Sequence, residues 1–316
     1  WRGCKRSLNA HRHRGALLVT EPVTVVEVGP RDGLQNECAV LSTEVKLAFV
    51  RSLASAGLSR IEVTAFVRPD RVPAMADAAE VAAVAKDVVP HASALVPNRR
   101  GLDGAMAAGL SSVAVFASAT EGFAQANLGQ SVDGSLATFS EVLIQAKQAN
   151  LHVRGYVSCA FDCPYDGAVD PGKVNGVVER LLAMGCDEIA ISDTIGSAVP
   201  ATVNAVLSAC ASSLPLAATA LHLHDTRGAA LSCVGAGLAA GVRTFDASAG
   251  GFGGCPFAPG AGGNLATEDL VDFLINEGFD PGVDLAKLAR ATDVVATALE
   301  REPPSKVWKR LRGFSC

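Results

Sequence analysis

Met184-Gly-Cys-Asp-Glu-Ile-Ala-Ile-Ser-Asp-Thr194 holds the fold in miniature. It reads as the last residue of an amphipathic helix, a glycine that ends it, an apolar strand over Glu188–Ser192, and a polar exit at Asp193-Thr194. Glycine suits the helix end because it accepts the left-handed conformation without a Cβ clash. Ala56-Gly57-Leu58, Ala108-Gly109-Leu110 and Ala240-Gly241-Val242 repeat the junction. Around these, β-branched runs predict strands at Val23–Val28, Arg60–Thr64, Ala92–Val96, Ser112–Phe116, His152–Ser158, Glu188–Ser192, Ala218–His224 and Arg243–Ala247. Helical periodicity falls between them, as over Thr43–Ala56, Leu136–Ala149, Pro171–Met184 and Pro200–Ala211. Strict alternation of strand and helix implies a parallel sheet. The glycine junctions precede strands two, four, six and eight, which favours a closed (β/α)8 TIM barrel over a doubly wound sheet with its reversal of strand order. The tail from Asp284 to Cys316 adds one or two helices, and no linker interrupts the pattern, so residues 21–316 read as a single α/β barrel domain.

At 316 residues and 49 % hydrophobic content the chain can bury a large core. A net charge of −5 with no basic stripe argues against nucleic acid as a partner. No apolar run reaches the ~18 residues that cross a bilayer. Nine cysteines are scattered without metal-knuckle spacing, which suits reduced thiols; Cys159 and Cys163 read as a structural pair. Residues 1–20 differ from the rest, with Arg2, Lys5, Arg6, Arg12 and Arg14 and no acid. Such a stretch fits either a disordered basic tail or a mitochondrial-type transit peptide, with a cytoplasmic location for a bacterial chain and the matrix for the second case. His11 and His13 lie in this polar context and read as solvated.

In (β/α)8 barrels the chemistry gathers at the C-terminal strand ends. Here those ends supply Arg31-Asp32, Glu62, Thr64, Asn98, Ser158, Asp193-Thr194, His222, His224, Asp246 and Ser248. His222 and His224 stand one pleat apart on one face of strand seven, with Leu221 and Leu223 on the other. Two imidazoles so placed can share one cation. Strands one and seven are separated only by strand eight, so Asp32 can face the pair across the mouth. Asp32 also precedes Gly33, as turn aspartates commonly do, but the neighbouring H-x-H favours a ligand. One carboxylate and two imidazoles leave half an octahedral shell open, which suits Mg²⁺ or Mn²⁺, with Zn²⁺ also compatible. Arg31 offers a permanent cation for a developing enolate or alkoxide, and Glu62 is an obvious partner to hold it. Ser248–Asn264 is a glycine-rich loop with Cys255 at its centre, a position that suits a proton donor arriving with the loop. Asn264, just before Leu265-Ala-Thr-Glu268, fits a helix cap and a metal ligand equally.

Val28–Glu37 (Val-Gly-Pro-Arg-Asp-Gly-Leu-Gln-Asn-Glu), Arg154-Gly-Tyr-Val-Ser-Cys159, His222-Leu-His-Asp-Thr226, Gly253-Gly-Cys-Pro256 and Gly263-Asn-Leu-Ala-Thr-Glu-Asp-Leu270 together resemble the hydroxymethylglutaryl-CoA lyase family of metal-dependent lyases and Claisen-type synthases. The resemblance runs from about Val23 to Lys306. It implies that Asp32, His222, His224 and Asn264 bind the divalent cation, and that Cys255 is the catalytic thiol. It also implies that Arg31, Gln35, Gly253 and Gly254 contact the substrate, while Glu62 and Asp193 support charge and proton transfer. Cys38, Gly129, Phe257 and the pair Ala249-Gly250 depart from the family pattern, none of them in the metal set.

The activity so implied is the retro-Claisen cleavage of (S)-3-hydroxy-3-methylglutaryl-CoA to acetoacetate and acetyl-CoA, a step of leucine degradation and ketone-body formation. His222 or Asp193 is expected to take the hydroxyl proton, and the resemblance further implies a homodimer. The alternatives are a lyase of a longer-chain 3-hydroxy-3-substituted glutaryl-CoA and a non-catalytic CoA-binding barrel.

Overall fold

The computed structural model describes residues 21–254 and 263–313. Eight parallel strands close a barrel: β1 (Thr24–Glu27), β2 (Arg60–Ala65), β3 (His91–Leu95), β4 (Ser112–Ser118), β5 (His152–Ser158), β6 (Glu188–Asp193), β7 (Thr219–Leu223) and β8 (Thr244–Ala247). They follow chain order, with β8 pairing β1 through Asp246 opposite Val26. All eight predicted strands are present within one or two residues at either end. The expected TIM barrel is therefore the fold, and each strand delivers its last residues to one shared mouth.

The helices around it are α1 (Thr43–Ser55), α2 (Ala78–Val88), α3 (Arg99–Ala107), α4 (Glu121–Leu128), α5 (Val132–Gln148), α6 (Pro171–Ala183), α7 (Pro200–Cys210) and α8 (Ala230–Ala240). After β8 come α9 (Thr267–Asn276), α10 (Leu285–Ala298) and α11 (Lys306–Gly313). Alternation is not strict, since both α4 and α5 lie between β4 and β5. Helix α5 also starts four residues before the expected Leu136. The Ser131 hydroxyl accepts from Gly134 N at 3.0 Å, and that cap outweighs the propensity cost of Gly134 in the first turn.

The glycine junctions are Schellman closures. At Gly57 φ is +104°, and Leu58 N donates to Leu53 O at 3.3 Å. The same five-residue reach joins Leu110 to Ala105, Cys186 to Leu181 and Val242 to Gly237. A fifth copy carries asparagine: Asn150 takes φ +57°, and Leu151 N reaches Ala146 O. Each closure turns the chain straight into the next strand, so helix and strand register are fixed together.

Alternation divides the strands' faces. Ile189 packs outward beside Leu181 of α6, and Leu221 and Phe245 pack against Gly237 of α8. Inward stand Glu62, Arg154, Tyr156, Glu188, His222 and Asp246, all buried. The barrel interior is thus charged along much of its length, an arrangement tolerated only when every charge is paired.

The cysteines fit their expected bland role. Cys38, Cys163, Cys186, Cys210 and Cys233 are free thiols, and Cys159 and Cys163 pack against Phe123. Burial pushes Cys186 and Cys233 up to about 12 and Cys210 up to about 11, so these three are unreactive at neutral pH. Among the described residues no helix is long and apolar enough to cross a membrane. Residues 1–20, with the basic tail and its His11 and His13, lie outside the described residues, as does Cys255.

Candidate active site

The site begins with a tight turn. Beyond β1, residues Gly29–Gly33 form one π-type turn in which Asp32 N and Gly33 N both donate to Val28 O, at 2.7 and 3.2 Å. Wide turns of this kind concentrate at functional sites. This one brings the side chains of consecutive residues, Arg31 and Asp32, to the barrel mouth. Glu27 anchors it: Oε1 accepts from Gly29 N at 2.7 Å and Ala249 N at 2.9 Å, and Oε2 accepts from the Thr267 hydroxyl at 2.7 Å.

Asp32, His222 and His224 converge, with one ligand atom from each lying within 4.8 Å of the others. The two Nε2 atoms face each other at 3.3 Å, and Asp32 Oδ2 lies 3.9 Å from both. Asn264 joins them through Nδ2, which donates to Asp32 Oδ2 at 2.8 Å. Its Oδ1 is buried and has no partner. An antiparallel bridge between His224 and Asn264 fixes this approach. An orphaned buried amide oxygen beside a carboxylate and two facing imidazole nitrogens is a donor set that fits a divalent cation.

Arg31 is buried beside this cluster. Its Nη1 lies 2.5 Å from Asp32 Oδ1, and its Nε pairs with Glu62 Oε1. Burial works against its charge, but the Glu62 and Asp32 carboxylates outweigh that and hold the guanidinium protonated. Burial likewise works against ionised Asp32, yet Arg31 and the two imidazoles hold its carboxyl well below the usual carboxylate range. Glu62 therefore serves to fix Arg31, with its other oxygen accepting from the Tyr156 hydroxyl at 3.2 Å.

Gln35 Nε2 reaches Asp32 Oδ1 at 3.2 Å, and Gly254 O accepts from Asn36 Nδ2 at 2.8 Å. Gly253 must be glycine. At φ +102° a Cβ would sit 2.7 Å from Asn264 Nδ2 and 2.9 Å from Asp32 O. Above these groups opens a cavity of about 810 Å³ lined by Arg31, Asp32, Gln35, His222, His224 and Gly254, with Phe116, Phe123 and Leu95 among its apolar wall.

Asp193 stands apart. Its carboxylate accepts from Ser197 N at 3.0 Å and Ala198 N at 2.9 Å, bracing the loop after β6, and burial raises its pKa. It is not among the side chains that line the cavity. Asn98 caps α3 by accepting from Gly101 N.

Sequence reading gave no role to Asp246 and Arg154. Asp246 is buried, 3.1 Å from His222 Nδ1, and takes Arg154 Nη1 and Nη2 at 2.9 and 2.6 Å. Burial opposes ionised Asp246, but Arg154 outweighs it and sets the carboxyl at about 2. The available signal was register: His222 and Asp246 are neighbours across β7 and β8.

A parallel barrel whose C-terminal mouth gathers one carboxylate, two imidazoles and a buried arginine defines the class of barrel enzymes that use a divalent cation. The HMGL-like family model matches residues 22–295, and the chain belongs to that family. It is 47 % identical over 286 residues to the mitochondrial hydroxymethylglutaryl-CoA lyase of Pongo abelii, covering 90 % of this chain and 88 % of that protein. Among solved structures it is similar to the hydroxymethylglutaryl-CoA lyase of Pseudomonas aeruginosa, with a TM-score of 0.90, 42 % identity and coverage of 94 % of this chain and 100 % of that one. An HMG-CoA lyase of Acinetobacter baumannii, solved with coenzyme A and 3-methylmalate, matches with a TM-score of 0.87 and 34 % identity over 94 % of this chain and 96 % of that one.

Proposed function

We propose that this chain is a carbon–carbon lyase that cleaves (S)-3-hydroxy-3-methylglutaryl-CoA to acetoacetate and acetyl-CoA with a divalent cation. The observation that carries the reading is the convergence of Asp32, His222 and His224 below the cavity with Arg31 paired beside them. Asp32, His222, His224 and Asn264 would hold Mg²⁺ or Mn²⁺, which would supply Lewis acidity to the tertiary hydroxyl and an acyl oxygen of the substrate.

The chain's own groups then divide the remaining work. Each Asp193 oxygen accepts one backbone amide, from Ser197 or Ala198, and keeps a second lone pair for a proton. Asp32 presents Oδ2 to the imidazoles and Oδ1 to Arg31 and Gln35, so both its oxygens are engaged and the hydroxyl proton is left to His222 or Asp193. As the C2–C3 bond breaks, its electrons pass to the thioester as an acetyl-CoA enolate. Arg31, fixed by Glu62, faces that anion, and a fixed donor of this kind is worth about 3–4 kcal/mol. Cys255, carried on the loop rooted at Gly253-Gly254, would protonate the enolate carbon.

The intact Arg31, Asp32 and H-x-H set gives no support to a non-catalytic CoA-binding barrel. A coupled acetoacetate assay against glutaryl-CoA thioesters of graded 3-substituent size tests the reading. The 3-methyl substrate is expected to turn over with Mn²⁺ and to stop with chelator. Turnover unchanged by chelator, or confined to longer substituents, would overturn it.

A further inference from the structure

A line of buried charge runs down the barrel from His222. Asp246 Oδ2 lies 3.1 Å from His222 Nδ1, and both Asp246 oxygens are forked by Arg154. Arg154 Nε lies 2.6 Å from Glu188 Oε1, and Glu188 in turn takes Arg60 Nη1 and Nη2, both at 2.9 Å. Four charges from β2, β5, β6 and β8 thus alternate in sign from the foot of the barrel to the His222 imidazole of β7 at its mouth.

The direction of the first hydrogen bond follows from chemistry. Asp246, held ionised by a two-point arginine contact, can only accept. His222 must therefore carry its proton on Nδ1, which leaves a lone pair on Nε2, the atom that faces His224 and Asp32. His224 Nδ1 is buried and has no partner, so only one of the two imidazoles has its tautomer fixed from behind. Tyr156 stacks edge-on to the His222 ring at 5.8 Å, and its hydroxyl accepts from Arg154 Nη1 at 3.0 Å, so the same arginine steadies both neighbours of the imidazole.

We infer that Asp246 is a positioning residue: it fixes the Nδ1–H tautomer and the ring orientation of His222, while Arg154, itself held by Glu188, forks both Asp246 oxygens. Such carboxylate–imidazole contacts typically change cation affinity about 10–100-fold. The inference rests on the cation site proposed above, and Mn²⁺ binding to the wild type is the control for that site.

The test has two arms. In metal-free wild type, ¹⁵N-histidine NMR at neutral pH is expected to show a pyrrole-type Nδ1 and a pyridine-type Nε2 for His222, whether or not the cation reading holds. The opposite tautomer would overturn the inference. Asp246→Asn, which keeps the shape but can donate to Nδ1, is expected to move a proton onto Nε2 and to weaken Mn²⁺ binding by about 10–100-fold in calorimetry. A folded variant with unchanged tautomer and Mn²⁺ affinity within about twofold of wild type would also overturn it.

Discussion

Arg31 shows how far a single side chain depends on its neighbours. Alone it is a buried cation; between Glu62 and Asp32 it becomes a fixed positive charge at the cavity wall. Arg31→Gln removes the charge while leaving Asp32 and both imidazoles in place. It is expected to lower kcat by about 10²–10³-fold with Mn²⁺ affinity nearly kept, read by steady-state kinetics beside calorimetry. An equal loss in both would mean that Arg31 only props up the cation site. At this scale the sequence pointed to the cluster of Asp32, His222 and His224, because an H-x-H on a strand and an Asp after a strand carry their chemistry in their spacing. It also named Glu62 as the partner of Arg31. It did not reveal that Asp193 accepts from two amides, which depends on a loop path with no periodic signal.

The helix-to-strand closure is the repeated element, and its copies differ in what surrounds them. At Gly57 an added Cβ would meet the backbone carbonyl of Gly282, whereas at Gly185 it would meet Lys147 Cγ at 3.2 Å, part of a flexible side chain. Both glycines have φ +104°, so alanine pays the left-handed penalty, about 1–2 kcal/mol, at either site. Gly57→Ala is expected to cost clearly more than Gly185→Ala in urea unfolding, since a backbone carbonyl cannot move aside. Equal losses would show that conformation alone, not close approach, fixes these positions. Four of the closures were legible because glycine marks them. The fifth, at Asn150, was not, since asparagine tolerates the same conformation without announcing it.

Across the whole molecule, the buried carboxylates divide into two groups with opposite pH behaviour. Asp32 and Asp246 have lowered pKa values, so the stability they add is present above the unfolded value of 3.8 and is lost as pH falls through their folded values, about 2 for Asp246. Burial instead raises Glu27 and Glu268 from 4.5 to about 7. Their contribution is full below 4.5 and is lost as pH rises through about 7, on the order of 3 kcal/mol per carboxyl. Unfolding free energy is therefore expected to fall between about pH 4.5 and 7, and Glu27→Gln is expected to flatten that slope in urea titrations. A slope unchanged in the variant would remove Glu27 from the balance. The barrel, its strand order and its polar mouth were all readable from alternation and punctuation. The charged interior was not, because a strand pattern shows which residues face inward but not how their charges pair across β2, β5, β6 and β8.

The proposed chemistry turns on one cation held jointly from the turn after β1 and the end of β7. Electron spin-echo envelope spectroscopy of the Mn²⁺-loaded protein reads that directly. Coupling to two imidazole nitrogens is expected in the wild type and to one in His224→Ala. A spectrum with no imidazole coupling, or one that His224→Ala leaves unchanged, would contradict it.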